Sequence, residues 1–165
     1  MEAAATVCFP AEQVSVGKIV IRPAGVSERE YLEALQTRAS LNNPRDREAL
    51  LANPDAIELP VSQIEAGQVF VAEQDGTVAG FAAILRRNDG DAELDGLFVE
   101  PSRWRQGIGR RLIEHCATVA RSAQSTALHV IGNPQAQGFY DRCGFKCLGT
   151  AETRFGIGLR FRKVL

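Results

Sequence analysis

The spacing of apolar positions divides the chain into elements before any other property is considered. In "KIVIRPA", Ile19 and Ile21 alternate with Val20 and Arg22, and Pro23 closes the run, so the stretch predicts a strand. "SEREYLEALQTRAS" predicts a helix, with Ser27 as N-cap and Glu30 at the capping-box position. "RDREALLAN" and the shorter "VSQIEAG" continue in helical register. "QVFVAEQ", the turn Asp75-Gly76 and "TVAGFAAILRR" form a hairpin signal. "AELDGLFVE" follows another turn, "NDGD", so the second, third and fourth strands make an antiparallel meander.

The period then changes. Ile108, Leu112, Cys116 and Val119, with Ile113 and Ala120, mark one face of a helix. "STALHVIG" is a further strand. "PQAQGFYDRCG" is a short helix with Pro134 at its first position and Gly144 just past its end. "KCLGT" and "TRFGIGLRFRKVL" close the chain as strands. The order β, helices, βββ, α, β, α, ββ is that of a mixed α/β (α+β) sheet. Its parallel part falls where the fourth strand passes through the crossover helix to the fifth.

Composition narrows the function classes. The 165 residues favour a single domain over residues 17–165, preceded by a loose arm at residues 1–16. A net charge of −1 gives no support for nucleic-acid or polybasic membrane binding, and no apolar run is long enough for a membrane span. The N-terminal stretch lacks the features of a secretory signal. Cys8, Cys116, Cys143 and Cys147 form no C-x-x-C pair, so reduced thiols in a cytoplasmic protein, with no metal, are expected.

One stretch resists explanation by helix stability. "WRQGIGRR" puts Gly107, Gly109 and several arginines where a helix must start, although glycine and N-terminal cations both disfavour that start. A strand–glycine turn–helix unit points backbone amides at one spot, and the glycines let an anion approach the main chain. Arg103, Arg105, Arg110 and Arg111 would help neutralise it, and a pyrophosphate is the size match. The third position of a dinucleotide fingerprint is Leu112 rather than glycine, and no G-K-[ST] follows, so the dinucleotide and P-loop readings weaken. Another nucleotide stays open, as does a glycine-rich helix start with a solvated arginine face.

The span "ELDGLFVEPSRWRQGIGRRLIEHC" resembles the acetyl-CoA-binding segment of the GNAT superfamily, the Gcn5-related N-acetyltransferases. The likeness rests on Leu97-x-Val99-x-Pro101, then Gly107-Ile108-Gly109, then an amphipathic helix. "NPQAQGFYDRCGF", with Asn133, Ala136, Phe139, Tyr140, Gly144 and Phe145, is similar to the next motif of that superfamily, in the expected order. Trp104 stands where arginine or glutamine is frequent, which touches one side-chain phosphate contact.

The resemblance implies a mostly antiparallel sheet of six to seven strands, splayed between the fourth and fifth, with about four flanking helices. It implies that the pantetheine of acetyl-CoA pairs with Leu97, Phe98 and Val99. The pyrophosphate would then rest on the amides of Arg105, Gln106, Gly107, Ile108, Gly109 and Arg110. Tyr140 matches the general acid and also adjoins the cofactor; as a plain aromatic it would be core. Asn133 either binds the cofactor or caps the helix ahead of Pro134. Glu93 matches a base position of the superfamily, and Asp95 competes with it. Two apart on a strand, they share one face, with Leu94, Gly96 and Phe98 on the other; the bland alternative is two solvated carboxylates. His115 and His129 read as a surface helix position and a strand position. Cys143 lies near the thioester without a paired base.

The function implied is direct acetyl transfer from acetyl-CoA to a primary amine of a small molecule or protein. A non-catalytic acyl-CoA-binding or sensing module of the same fold is the alternative. "ASLNNPRDREALLANPDAIELPVSQIEAG" is expected to roof the acceptor site. Homodimers are frequent in the superfamily, and no nucleic-acid or membrane partner is implied.

Overall fold

The computed structural model describes residues 17–165; the expected arm and Cys8 lie outside them. Seven strands form one sheet: β1 (Ile19–Pro23), β2 (Val69–Gln74), β3 (Thr77–Arg86), β4 (Ala92–Val99), β5 (Ala127–Gly132), β6 (Lys146–Thr153) and β7 (Gly156–Val164). Their order is β1-β2-β3-β4-β5-β7-β6, so the last strand slots in beside β5 and leaves β6 at the edge. Only β4 and β5 run parallel. The helices among the described residues are α1 (Arg29–Leu41), α2 (Pro44–Ala52), α3 (Val61–Glu65), α4 (Ile108–Ser122) and α5 (Gln137–Arg142), with α3 the short helix read in "VSQIEAG".

Two cores lie on opposite faces of the sheet. On one, α4 lays Ile108, Leu112, Ile113, Cys116 and Ala120 against Phe70, Leu94, Leu128, Val130 and Phe161. Full burial of a leucine or isoleucine contributes roughly 1.5–3 kcal/mol, so this stripe is enough to override the poor helix start. On the other, Leu32 and Leu35 of α1 and Ile64 of α3 cover Val69, Val71, Phe81 and Ala83. His115 is half-buried rather than on the surface. Its ring meets Phe70 edge-on at 4.5 Å, its Nε2 has no hydrogen-bond partner among the described residues, and burial lowers its pKa.

The start of α1 differs from the Ser27 expectation. A short turn over Val26–Glu28 precedes the helix, and Glu28 reaches back to the Gly25 amide at 2.8 Å. Arg22 selects this arrangement by holding Glu28 at 2.7 Å and Glu73 at 2.7 Å, which fixes the helix entry to β1 and β2. The Asp75-Gly76 turn is as expected, with both residues at positive φ (53° and 78°).

Candidate functional site

The parallel pair β4–β5 is a wedge. Register pairs join only Ala92 to Leu128 and Glu93 to His129; beyond them the two strands separate. Asp91 holds the closed end. Its carboxylate accepts from Thr126 N (3.0 Å), Thr126 Oγ1 (2.9 Å) and Ala127 N (3.0 Å), and its other oxygen lies 3.0 Å from His129 Nε2. The His129 contact, with the Thr126 and Ala127 donors, holds this carboxyl well below the usual carboxylate range. Asp89, Asp91 and His129 bring ligand-type atoms within 4.8 Å of one another. However, Arg87 already pairs with Asp89 at 3.0 Å, and those oxygens are satisfied by protein donors.

A bulge in β4 corrects the expected face assignment. Ala83 pairs with Gly96 and Ile84 with Leu94, so Asp95 is the extra residue. The alternation shifts there: Leu94 packs in the α4-side core, whereas Phe98 packs in the α1-side core with Phe81 at 5.4 Å. Leu94 and Phe98 therefore lie on opposite faces. The two carboxylates also separate in character. Asp95 is exposed, while Glu93 is half-buried at the point where the strands part, 3.7 Å from Arg87.

Past the bulge, β4 offers one edge to β3 and keeps the other for the wedge. Glu100 N donates to Ala79 O at 2.8 Å, which makes Ala79–Glu100 and, two residues along, Phe81–Phe98 the hydrogen-bonded pairs. The amides and carbonyls of Leu97 and Val99 consequently point into the wedge, and those of Phe98 do not. Trp104 occupies the end of this edge, its indole Nε1 donating to Val99 O at 2.8 Å. The departure at position 104 thus closes a backbone edge.

The following loop has two left-handed residues, Arg105 (φ 63°) and Gly107 (φ 82°). Gly107 is the N-cap of α4 and supplies no side-chain cap, so the first amides of α4 lack that partner. A Cβ on Gly107 would meet nothing within 4 Å, and the amides of Ile108, Gly109 and Arg110 donate to no acceptor among the described residues. Gly109 has a different reason to be glycine: a Cβ there would lie 3.1 Å from Phe139 Cζ. This packing reason stands beside its expected place in the anion cradle. The expected side-chain contributions also divide. Gln106 Oε1 accepts from Gln74 Nε2 at 2.9 Å, and Arg103 Nη1 reaches Gln74 Oε1 at 2.8 Å, so both turn inward. Arg111 lies 3.5 Å from Ile19 O, and Arg110 pairs with Glu114 at 3.1 Å. Arg105 stays exposed, with no hydrogen bond from its side chain among the described residues.

On the β5 side, Asn133 caps the turn Pro134–Ala136 through Gln135 N at 3.0 Å, and its Nδ2 donates to Asp46 Oδ1 at 3.2 Å. Tyr140 on α5 is buried among Phe139, Phe145 and Phe161, with ring centroids 4.9–5.5 Å away. Its hydroxyl has no hydrogen-bond partner among the described residues. Burial, with a smaller contribution from Cys143, pushes its pKa up to about 12. Cys143 is buried too, which raises its pKa, and its carbonyl accepts from Lys163 Nζ at 2.7 Å.

Three residues of this region escape sequence reasoning. Gly132 lies against the Tyr140 ring, Gln74 is buried under the loop, and Asp46 bridges α2 to Asn133. Only Gly132 left a trace, as a glycine ending a strand.

Residues 31–145 match the Acetyltransferase (GNAT) family. Peptidyl-lysine N-acetyltransferase YjaB of Salmonella typhimurium is 37% identical over 84 residues, 51% of this chain and 52% of that protein. 5-NmdU N-acetyltransferase of Pseudomonas phage PaMx11 is 31% identical over 94 residues, 56% of this chain and 67% of that one. The chain spans about half the length of the curated relatives it matches, and two thirds of the phage enzyme. Among solved structures, a PaiA N-acetyltransferase from Thermoplasma acidophilum in complex with coenzyme A superposes with a TM-score of 0.72, covering 90% of this chain and 99% of that one. At 18% identity, that likeness is one of fold. No helix among the described residues is long and apolar enough to cross a membrane.

Proposed function

The chain belongs to the GNAT acetyltransferase family, and we propose that it transfers the acetyl group of acetyl-CoA directly to an amine within a ternary complex. The observation that carries the reading is the wedge: a β4 edge open at Leu97 and at the Val99 amide runs into the uncapped N-terminus of α4 on one side and Tyr140 on the other. The residues fit the co-substrate on a simple test. A left-handed, Cβ-free Gly107 leaves the α4 start open to a pyrophosphate, and the Leu97 backbone with the Val99 amide can pair with an extended amide chain as with an added strand. Acetyl-CoA supplies the activated acetyl group.

The chain's residues then have distinct tasks. The Leu97 amide, aimed into the wedge on the side away from α4, donates to the acetyl carbonyl as charge builds on its oxygen. Tyr140 holds its proton at every physiological pH and gives it to the departing sulfur as the C–S bond breaks and the C–N bond forms. Asn133 keeps its capping role. Glu93, at the fork of the strands, is the carboxylate placed to take the amine proton directly or through water, and Asp95 is out in solvent. Its test is turnover with one acceptor at neutral pH, which Glu93→Gln lowers at least tenfold and Asp95→Asn keeps; unchanged rates in both variants exclude the pair. The segment from Asn43 to Pro60 reaches the C-terminal hairpin through Arg45 to Ile157 O and Asp55 to Arg154 (3.2 Å), which supports its reading as a roof over the acceptor.

The experiment is calorimetric titration with acetyl-CoA followed by thiol release over a panel of amines. Binding with transfer supports the reading. Binding with no transfer to any amine favours the acyl-CoA-sensing alternative, and no binding of acetyl-CoA defeats both.

A further inference from the structure

Asp46 has no task in the chemistry above, yet its position is not that of a surface carboxylate. It sits half-buried in the first turn of α2, and its own helix is capped by Asn43 instead, whose side chain accepts from Arg45 N at 3.1 Å. Oδ1 accepts from Asn133 at 3.2 Å, and no ion pair to either oxygen is found among the described residues. The adjacent Arg45 turns its guanidinium away to the Ile157 carbonyl of the hairpin. The positive end of α2 offsets part of the cost of burying this charge, and among the described residues no cation completes the offset. Burial does raise the carboxyl's pKa, against weaker opposing effects of Asn133 and Arg45.

Its place in the fold says where such a counter-charge would come from. Asn133 directly follows Gly132, and Gly132 lies against the Tyr140 ring on the face of Cε2, the carbon next to the one bearing the hydroxyl. One hydrogen bond therefore connects Asp46 to the strand end that packs on the proposed acid. On the other side, the roof segment meets the β6–β7 hairpin. Ile131, exposed beside this strand end, adds an apolar wall. The vicinity thus combines one carboxylate and an apolar surface beside the end of β5, the strand that bounds the wedge.

The geometry points to Asp46 as the residue that selects a cationic acceptor: the carboxylate, oriented by Asn133, receives a protonated amino group of an aliphatic amine. The inference rests on the acetyltransferase reading and adds to it the charge of the acceptor and the residue that recognises it. Asp46 binds in this role; the proton of the reacting amine still leaves through Glu93 or water.

The test compares two acceptors with saturating acetyl-CoA at neutral pH: an aliphatic diamine, which is cationic, and an arylamine, which is not. In Asp46→Asn, KM for the diamine rises at least tenfold, about 1.4 kcal/mol, while its kcat, the arylamine KM and acetyl-CoA affinity stay within about twofold. Asp46→Glu keeps the charge and restores the preference for the diamine. A purely structural role would move both acceptors together. Equal changes for both acceptors, or none for either, overturn the inference. So does a wild type that binds acetyl-CoA but acetylates no cationic amine, which leaves the cofactor reading standing. A wild type that binds no acetyl-CoA overturns the acetyltransferase reading and this inference with it.

Discussion

Gly132 and Tyr140 are in direct contact: a Cβ on Gly132 would lie 2.7 Å from Tyr140 Cε2 and 3.2 Å from Phe161 Cε2. Neither ring has room to withdraw, since Tyr140 is packed between Phe139, Phe145 and Phe161. Gly132→Ala is therefore expected to destabilise the fold by about 1–3 kcal/mol through overpacking. It should also lower turnover at least tenfold by displacing the hydroxyl, with acetyl-CoA affinity nearly unchanged. Thermal unfolding and single-turnover kinetics on the same preparation check both.

Tyr140→Phe removes the proton and keeps the ring. Turnover should drop by roughly 10²-fold or more. Neutral-pH stability should hardly change, because the hydroxyl makes no hydrogen bond to the described residues. Its alkaline behaviour is distinctive. With a folded pKa of about 12 against about 10 unfolded, Tyr140 contributes stability that is intact below pH ~10 and lost as pH rises toward 12. Cys116, also pushed up to about 12 by burial, acts in the same direction from a lower starting pH. The variant should lose only the tyrosine part of the alkaline slope in denaturant titrations.

The two loop glycines should separate experimentally. Gly109→Val pushes a branched side chain into Phe139, with the first contact already at 3.1 Å, so the melting temperature should fall by several degrees. Gly107→Ala has space but a strained φ of 82°, costing about 1 kcal/mol, and puts a methyl into the open space where an anion would approach the start of α4. Its acetyl-CoA affinity should fall at least tenfold. Calorimetry on both variants distinguishes packing from approach.

Asp91 should control acid stability. Its folded pKa lies below the unfolded value, so its contribution is present above about pH 4 and lost progressively as pH falls. Asp91→Ala strands the amides of Thr126 and Ala127 and should cost about 2–4 kcal/mol at neutral pH. Urea titrations at neutral pH and at pH ~3 should show the difference between variant and wild type shrinking in acid.

Much of this arrangement is written in local pattern. The alternation in β1, the Asp75-Gly76 turn, the α4 stripe and the Pro134–Gly144 helix are legible because each is set by neighbours within a few residues. The position of β7 between β5 and β6 is not, since adjacent and inserted hairpin strands have the same alternation. The bulge at Asp95 is equally silent, and it reverses the face of Phe98 relative to Leu94, which no two-residue count can reveal. The glycine pair shows the limit of motif reading: the spacing located the loop, but the packing of Gly109 on Phe139, thirty residues away, is not written in it. Asp46 and Gln74 escaped because their partners, Asn133, Gln106 and Arg103, are distant in the chain.

The central claim is that coenzyme A lies in the wedge along β4 and ends on α4. Amide hydrogen exchange followed residue by residue in NMR, with and without coenzyme A, tests it directly. The account expects new protection at Leu97 and Val99, whose amides face the wedge, and at Gly109 and Arg110 of the uncapped helix start. Phe98, already bonded to β3, should change little. Binding that protects none of these four amides, or that protects only the groove between β1 and α4 lined by Lys18, Arg111 and His115, would contradict it.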